Sequence, residues 1–587
     1  MSRSNNWQPM ITRAPFCLLA LLGAILFASP VAAQVFDSGP SDPALFDIVI
    51  NVPPDPAIGP NASLGGDIID ITTQLNIFGD GTLGVRFNAG PNLEVNISGG
   101  VVDNAFTAND SEVNISGGSV GNDFDAISGS EVNIIGGVIG RGFDAFSGST
   151  VNISGGSVGV EDRRINCCGF DANSGSVVNI TGGTVGHYFD ANSGSTVNIS
   201  GGSIGEDFEA HSGSTVNISG GNFGQGFHAH PGGVVNISGG SISARLCAEA
   251  GSDLELIGGE FQLNGAAFSG SEISLSGGDI FTGTLADGTA FIFAEDGFDD
   301  LSGVQLTQVA LPTLDLSPIV VSTANPNLPL GLRAGQTLSL LDGGELGPNF
   351  QAVDATLNIE GGSIGERIAA TGGSVNISGG TVGLGLNVFD GEVNISGGTV
   401  GGFIPYGSEV NISGGRVLNF RSEQGSVVNI SGGRVDSFIT SFGSVVNISG
   451  GSIGFISSTN AGSTINIIGS DFALDGVPLD DSLTPGNPFT INENRMVQLS
   501  GLYGDGSAFT FNFDFTDYYP HATVTVTLAL PPLLGDANQD GEVTFSDITP
   551  FIAILQAGTF LQQADCNQDG VVDFADIPAF IAILQAR

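Results

Sequence analysis

The sequence predicts a mainly β fold: two tandem parallel β-solenoids of 17–19 residues per coil with β-rich caps, then a small α-helical domain. Three observations predict it. The string Val-Asn-Ile-Ser-Gly-Gly recurs through two long blocks at near-constant spacing. Glycine reaches 92 residues while 41% of the chain is apolar, which is too hydrophobic for a flexible linker and suits many tight turns between short strands. Finally, segment 533–587 abandons the repeat for two acidic loops, each running into an apolar pattern of helical period.

Taken from the start, residues 1–33 read as a secretory signal. Arg3 and Arg13 precede an apolar run from Phe16 to Phe27, and Val31-Ala32-Ala33 offers a small-residue cleavage site. The run is short for a membrane span, and no later segment supplies one of about 18 apolar residues. The expectation is a secreted or cell-surface protein with no transmembrane insertion once the leader is removed. The formal charge is -46, and the 14 basic residues are all arginine. Such a surface repels phosphates and anionic lipid, so no nucleic-acid partner is expected. Cys17 lies in the leader. Cys167, Cys168, Cys247 and Cys566 remain, with three complete pairings open to them.

Residues 34–94 are assigned to an N-terminal cap and 95–280 to the first solenoid. There the string begins at Val95 and Val113, and returns at Val151, Val197, Val216 and Val235. Variants stand at Val132, Val178, Leu254 and Ile273. Steps are 18 or 19 residues, except one of 27 between Val151 and Val178 that holds an inserted loop with Cys167 and Cys168. Residues 281–356 are assigned to a cap and connector. The second solenoid, 357–470, starts its strings at Leu357, Val375, Val393, Val410, Val428, Val446 and Ile465.

Within Val-Asn-Ile the first and third side chains share one strand face, as do Phe and Ala in Phe189-Asp190-Ala191. Gly-Gly and Ser-Gly-Ser mark corners. A unit this short holds two or three brief strands and no helix, so one unit is one coil. The C-terminal cap, 471–530, repeats wording of the first: Phe472-Ala-Leu-Asp-Gly echoes Phe261-Gln-Leu-Asn-Gly. Both blocks resemble parallel β-helix proteins, including passenger-like and pectate-lyase-like families. The likeness is architectural, because no catalytic motif of those enzymes is matched. It leaves handedness open, with right-handed preferred.

Stacking in register predicts two outward columns. The asparagines, Asn96 to Asn236 and Asn358 to Asn466, would form a hydrogen-bonded amide ladder. The second column runs through Asp125, Asp144, Asp171, Asp190 and Glu209 to His228, with His211 and His230 lined up beyond the Ala of their strands. Carboxylates one strand apart repel, which raises pKa values or recruits a cation. Asp171, Asp190, Glu209, His211, His228 and His230 are therefore the candidate acid, base or ligand residues of a metal-binding or sugar-processing groove. A solvated acidic face generated by repeat duplication is the plainer alternative.

The C-terminal loops carry the sharpest motif. Asp536, Asn538 and Asp540 supply side-chain oxygens at alternating positions, Glu542 offers its carbonyl, and Asp547 closes the loop. Asp565, Asn567, Asp569, the Val571 carbonyl, Asp573 and Asp576 repeat the pattern 29 residues later. Two Ca2+ ions are the expected cofactors. On the following segment, Ile548, Phe551, Ile552 and Leu555 are expected on one helical face.

The closing Asp, and Pro531-Pro532 where an EF-hand has its entering helix, make 533–587 resemble a type I dockerin. The resemblance implies a calcium-ordered module that docks on a cohesin-like or other surface protein. Phe545, Ser546, Phe574 and Ala575 would stand at the recognition positions, with two phenylalanines where the family often has small hydroxyl residues. Repeat and leader together resemble large exported proteins of planctomycete-like bacteria. The expected function is structural or adhesive. The alternative is a polysaccharide-degrading hydrolase or lyase recruited through the module.

Overall fold

The computed structural model describes residues 48–52, 63–64 and 73–586, apart from 160–168, 243–244, 295–299, 325–328, 424, 441–442, 459–461, 480–482, 493–494, 515–522, 530–532, 539–542, 558–560, 562 and 568–570. The expected leader, the inserted loop with Cys167 and Cys168, and Asp540, Glu542 and Asp569 therefore lie outside the described residues. Cys247 and Cys566 carry free thiols.

One coil shows how sequence becomes rung. Strand Thr196–Ile204 supplies two sides and Phe208–Ala210 the third. Val197, Ile199, Ile204, Phe208 and Ala210 point inward and are at most 3% exposed. Burying each large side chain contributes roughly 1.5–3 kcal/mol before conformational entropy is set against it. The Gly-Gly corner is required twice over. A Cβ on Gly201 would sit 2.3 Å from the Thr181 carbonyl oxygen of the rung below, and Gly202 has φ +84°.

Rungs pair in parallel and in register, Val178 on Val197, Asn179 on Asn198 and Ile180 on Ile199. Phenylalanines line up down the core, with centroids 4.6–4.9 Å apart from Phe106 to Phe227, stacked except for the edge-on pair Phe189–Phe208. The asparagine ladder forms as expected. Each Nδ2 donates to the Oδ1 below, at 2.9 Å from Asn198 to Asn179 and 2.9 Å from Asn376 to Asn358. At the far end the Thr525 and Thr527 hydroxyls both donate to Asn466 Oδ1.

Parallel rungs also occupy part of the segments assigned above to cap and connector. Ile48–Val52 pairs with Thr73–Ile77, which pairs with Leu93–Val102. Ile319–Val321 and Thr337–Leu340 open the second solenoid below Thr356–Ile359. These rungs keep the in-out-in alternation, as in Leu75-Asn76-Ile77, without the Val-Asn-Ile-Ser-Gly-Gly string; of them only Thr337–Leu340 runs on to a glycine pair, Gly343-Gly344.

Both solenoids close on the same device. Hairpin Ile280–Leu285/Ala290–Ala294 pairs antiparallel to Asp253–Leu263, and Val304–Gln308 adds a last parallel strand. Met496–Tyr503, Ala508–Asp514 and Thr523–Leu528 repeat this on Thr464–Leu474.

The two solenoids do not continue one rod. Arg333 pairs with Glu260, Gln351 Nε2 donates to the Ile242 carbonyl, Asn349 Nδ2 donates to Asn222 Oδ1, and Arg367 pairs with Glu206. From Arg333, through the coil of Asn349 and Gln351, to Arg367, the partners step backward along the first solenoid coil by coil. The pair thus lies side by side with opposed axes along this seam. Ala290, Ile292, Val353 and Phe389 form an apolar cluster beside it. Among the described residues no helix is long and apolar enough to cross a membrane.

Candidate functional site

Two short helices, α1 (Ile548–Ala557) and α2 (Ile577–Gln585), follow the second cap. Each is preceded by a single 3-10 turn with a capping box, Thr544 with Asp547 and Asp573 with Asp576. They meet through Phe551 and Phe580, whose rings stack at 4.0 Å. Ile552 is not on the inner face as expected; it is 46% exposed, like its counterpart Ile581 at 45%. Each helix has one helical partner, so the buried stripe is narrow and runs through Ile548, Phe551, Ile554 and Leu555.

The loop carboxylates are drawn inward. Asp536 and Asp565 are 5% and 6% exposed, and Asp547 and Asp576 are fully buried. Asp547 accepts the backbone N–H groups of Asn538 at 3.0 Å and Thr544 at 2.8 Å. Asp576 accepts those of Asn567 at 3.0 Å and Asp573 at 2.9 Å. Segment 533–587 has no basic side chain except Arg587. In each loop two buried carboxylates and an Asn side chain make a hard-oxygen donor set, which fits a divalent cation such as calcium. Val571 lies exposed at the loop exit, and Phe545 and Phe574 are 80% and 76% exposed.

The second candidate lies on the first solenoid. Asp125, Asp144, Asp171, Asp190, Glu209 and His228 stand over one another in parallel register, each outward between a buried Phe and a buried Ala. Burial first, and then the neighbouring Asp171 and Asp125 charges, push Asp144 up to about 7. Asp190 is pushed up to about 6, by burial and then by Asp171 and Glu209, against the opposing pull of His211 and His230. Asp125 and Asp171 are also raised, chiefly by burial. Asp144 and Asp171 share a side-chain hydrogen bond.

Of the predicted residues, the structure brings Glu209, His211 and His230 together. His211 Nε2 and His230 Nε2 lie 3.4 and 3.2 Å from the same Glu209 Oε2, and Asp190 Oδ1 is 3.8 Å from His211 Nε2. Asp171 pairs with Asp144 instead. His228 stands in register with Glu209 one rung on, two residues before His230, its ring 6.2 Å from that of His230. His187 is drawn to the seam, where its Nδ1 accepts the Glu206 N–H at 2.8 Å.

Sequence reasoning missed Glu249, whose Oε1 is 3.0 Å from His230 Nδ1. Counting one 19-residue unit on from His230 would have found it. Compared with known proteins, the chain matches no family model and no curated sequence.

Proposed function

We propose that this chain is an exported structural or adhesive protein, and that its C-terminal paired loops bind two calcium ions and attach it to a surface protein. The observation that carries the reading is the duplicated loop, in which Asp536 and Asp547, and again Asp565 and Asp576, are buried in a segment almost devoid of basic side chains. Gathering buried negative charge is costly, and a hard cation offsets that cost. The β-solenoids supply a rigid body with long outward columns, suited to display rather than to conformational switching.

Calorimetric titration of the full chain with calcium tests it. Two sites are expected, with Asp547→Asn and Asp576→Asn each removing or weakening one. A chain that takes up no calcium overturns the reading. Capture of a surface protein in calcium, lost in chelator, tests attachment separately.

A second reading is a hydrolase or lyase acting on acidic polysaccharide. It is favoured by Asp144, poised near 7 and hydrogen-bonded to Asp171, a protonation state suited to general acid work. Release of reducing ends or unsaturated products from a glycan panel, abolished by Asp144→Asn, would establish it.

A further inference from the structure

The columns on the first solenoid acquire a different chemistry at two adjacent rungs. We infer that Glu209, His211 and His230 form a binding site for a divalent transition-metal ion, zinc being the ion their chemistry suits best. The site is separate from the C-terminal loops and uses a different donor class.

The argument begins with the rung. Phe208 and Ala210 point into the core, so Glu209 on that strand and His211 just past its end both face outward. One rung on, His230 stacks on His211 with rings 4.9 Å apart and 1° from parallel. Their Nε2 atoms consequently converge on one carboxylate oxygen, Glu209 Oε2, at 3.4 and 3.2 Å. A tetrahedral zinc site with metal–nitrogen bonds of about 2.0–2.1 Å places neighbouring ligand atoms about 3.3 Å apart. Two of the three donor–donor distances already match that spacing, and all three ligand atoms lie within 4.8 Å of one another. Asp190 Oδ1, 3.8 Å from His211 Nε2, or a water completes the set.

A second, independent feature points the same way. His230 Nδ1 is held at 3.0 Å by Glu249 Oε1. A carboxylate on the far ring nitrogen fixes the tautomer that leaves Nε2 free as a ligand and raises its basicity, an arrangement that commonly accompanies metal-bound histidine. Imidazole with carboxylate selects zinc and its neighbours over calcium, which prefers an all-oxygen set.

Repeat duplication does not account for the cluster. The rungs below carry Asn173 and Asn192 where His211 and His230 stand. In the second solenoid the matching outward residues are Thr371, Phe389 and Tyr406. The histidines are departures from the repeat, confined to neighbouring rungs where they meet a glutamate.

The test uses the full chain with calcium in excess, so that the C-terminal loops are occupied, and titrates zinc by calorimetry. One zinc per chain is expected, and cobalt should give the intense visible absorption of a tetrahedral site. His211→Ala and His230→Ala should each weaken zinc binding at least about tenfold, and Glu249→Gln about 10–100-fold. Asp125→Asn, on the same face but remote from the cluster, should leave affinity unchanged. Because all these side chains face outward, far-UV circular dichroism should be unaltered, and His230→Gln provides a variant of closer shape. Absence of zinc binding by the unsubstituted chain overturns the inference. So does affinity that survives the His211→Ala/His230→Ala double substitution. Neither result bears on the calcium loops, which are read out by the calcium titration alone.

Discussion

Truncating one ring in the phenylalanine stack should cost far more than its distance from any surface feature suggests. Phe170 is 1% exposed and lies between Phe143 at 4.8 Å and 5° and Phe189 at 4.7 Å and 20°. Phe170→Ala removes a fully buried ring from a site that backbone ladders on three sides prevent from collapsing. A loss of about 3–5 kcal/mol is expected. Part of that loss belongs to the ring pairs, so a cycle of Phe143→Leu, Phe170→Leu and the double variant should show about 0.5–1.5 kcal/mol of coupling. The assay is native-state hydrogen exchange on the full chain, which resolves rungs individually. Amides of Phe170–Ala172 and the rungs beside them should lose protection, while Thr356–Ile359 and the second solenoid keep theirs, because coupling runs mainly between stacked neighbours and the seam pairs at Glu206, Asn222, Ile242 and Glu260 lie on other rungs. A cost under about 1 kcal/mol, or strict additivity in the cycle, would refute the reasoning.

Two further outcomes follow from the polar groups. Asp144 has its folded pKa raised from 3.8 to about 7, facing Asp123, Asp125 and Asp171, so the folded state holds a proton that the unfolded state releases. Its contribution is therefore most favourable at low pH and is lost as pH rises through 7. The full shift would amount to about 3 kcal/mol between pH 5 and 8, and screening of a half-exposed group reduces it to about 1 kcal/mol. Denaturant midpoints of the solenoid should fall over that range and flatten in Asp144→Asn; a midpoint rising with pH in both proteins would contradict the sign. At the seam, Gln351 donates to the Ile242 carbonyl at 2.9 Å and accepts the Ile292 N–H at 2.7 Å. Gln351→Leu leaves two buried backbone groups unpaired, costing about 2–5 kcal/mol. Exchange at the Ile292 amide should accelerate and small-angle scattering should report a larger radius of gyration. Unchanged values for both would show that the seam does not depend on this residue.

The rung was readable because its period is written in every unit. Val, Ile, Phe and Ala alternate with Asn and Asp, and a strict period of two admits only one inward set. The acidic and histidine columns followed by counting. Rungs such as Leu75-Asn76-Ile77 escaped because they keep the alternation and drop the Gly-Gly corner. The seam escaped for a different reason: Arg367 and Glu206 are 161 residues apart, and neither lies in a repeated string. Glu249 was concealed because its rung reads Leu-Cys-Ala-Glu rather than Phe-Asp-Ala. The narrow inner stripe of α1 depends on how many neighbours the helix has, which its own period does not encode.

One pairing has a practical consequence. Asn179 meets Asn152 at 2.9 Å across 27 residues of chain, the same distance that Asn198 keeps to Asn179 across 19. Thr150 still faces Val177, and Phe143 still faces Phe170. Extra length between Val158 and Phe170 thus leaves the register untouched. That corner is a natural graft point, where foreign peptides of differing size can be hosted on a stiff frame whose spacing they do not alter.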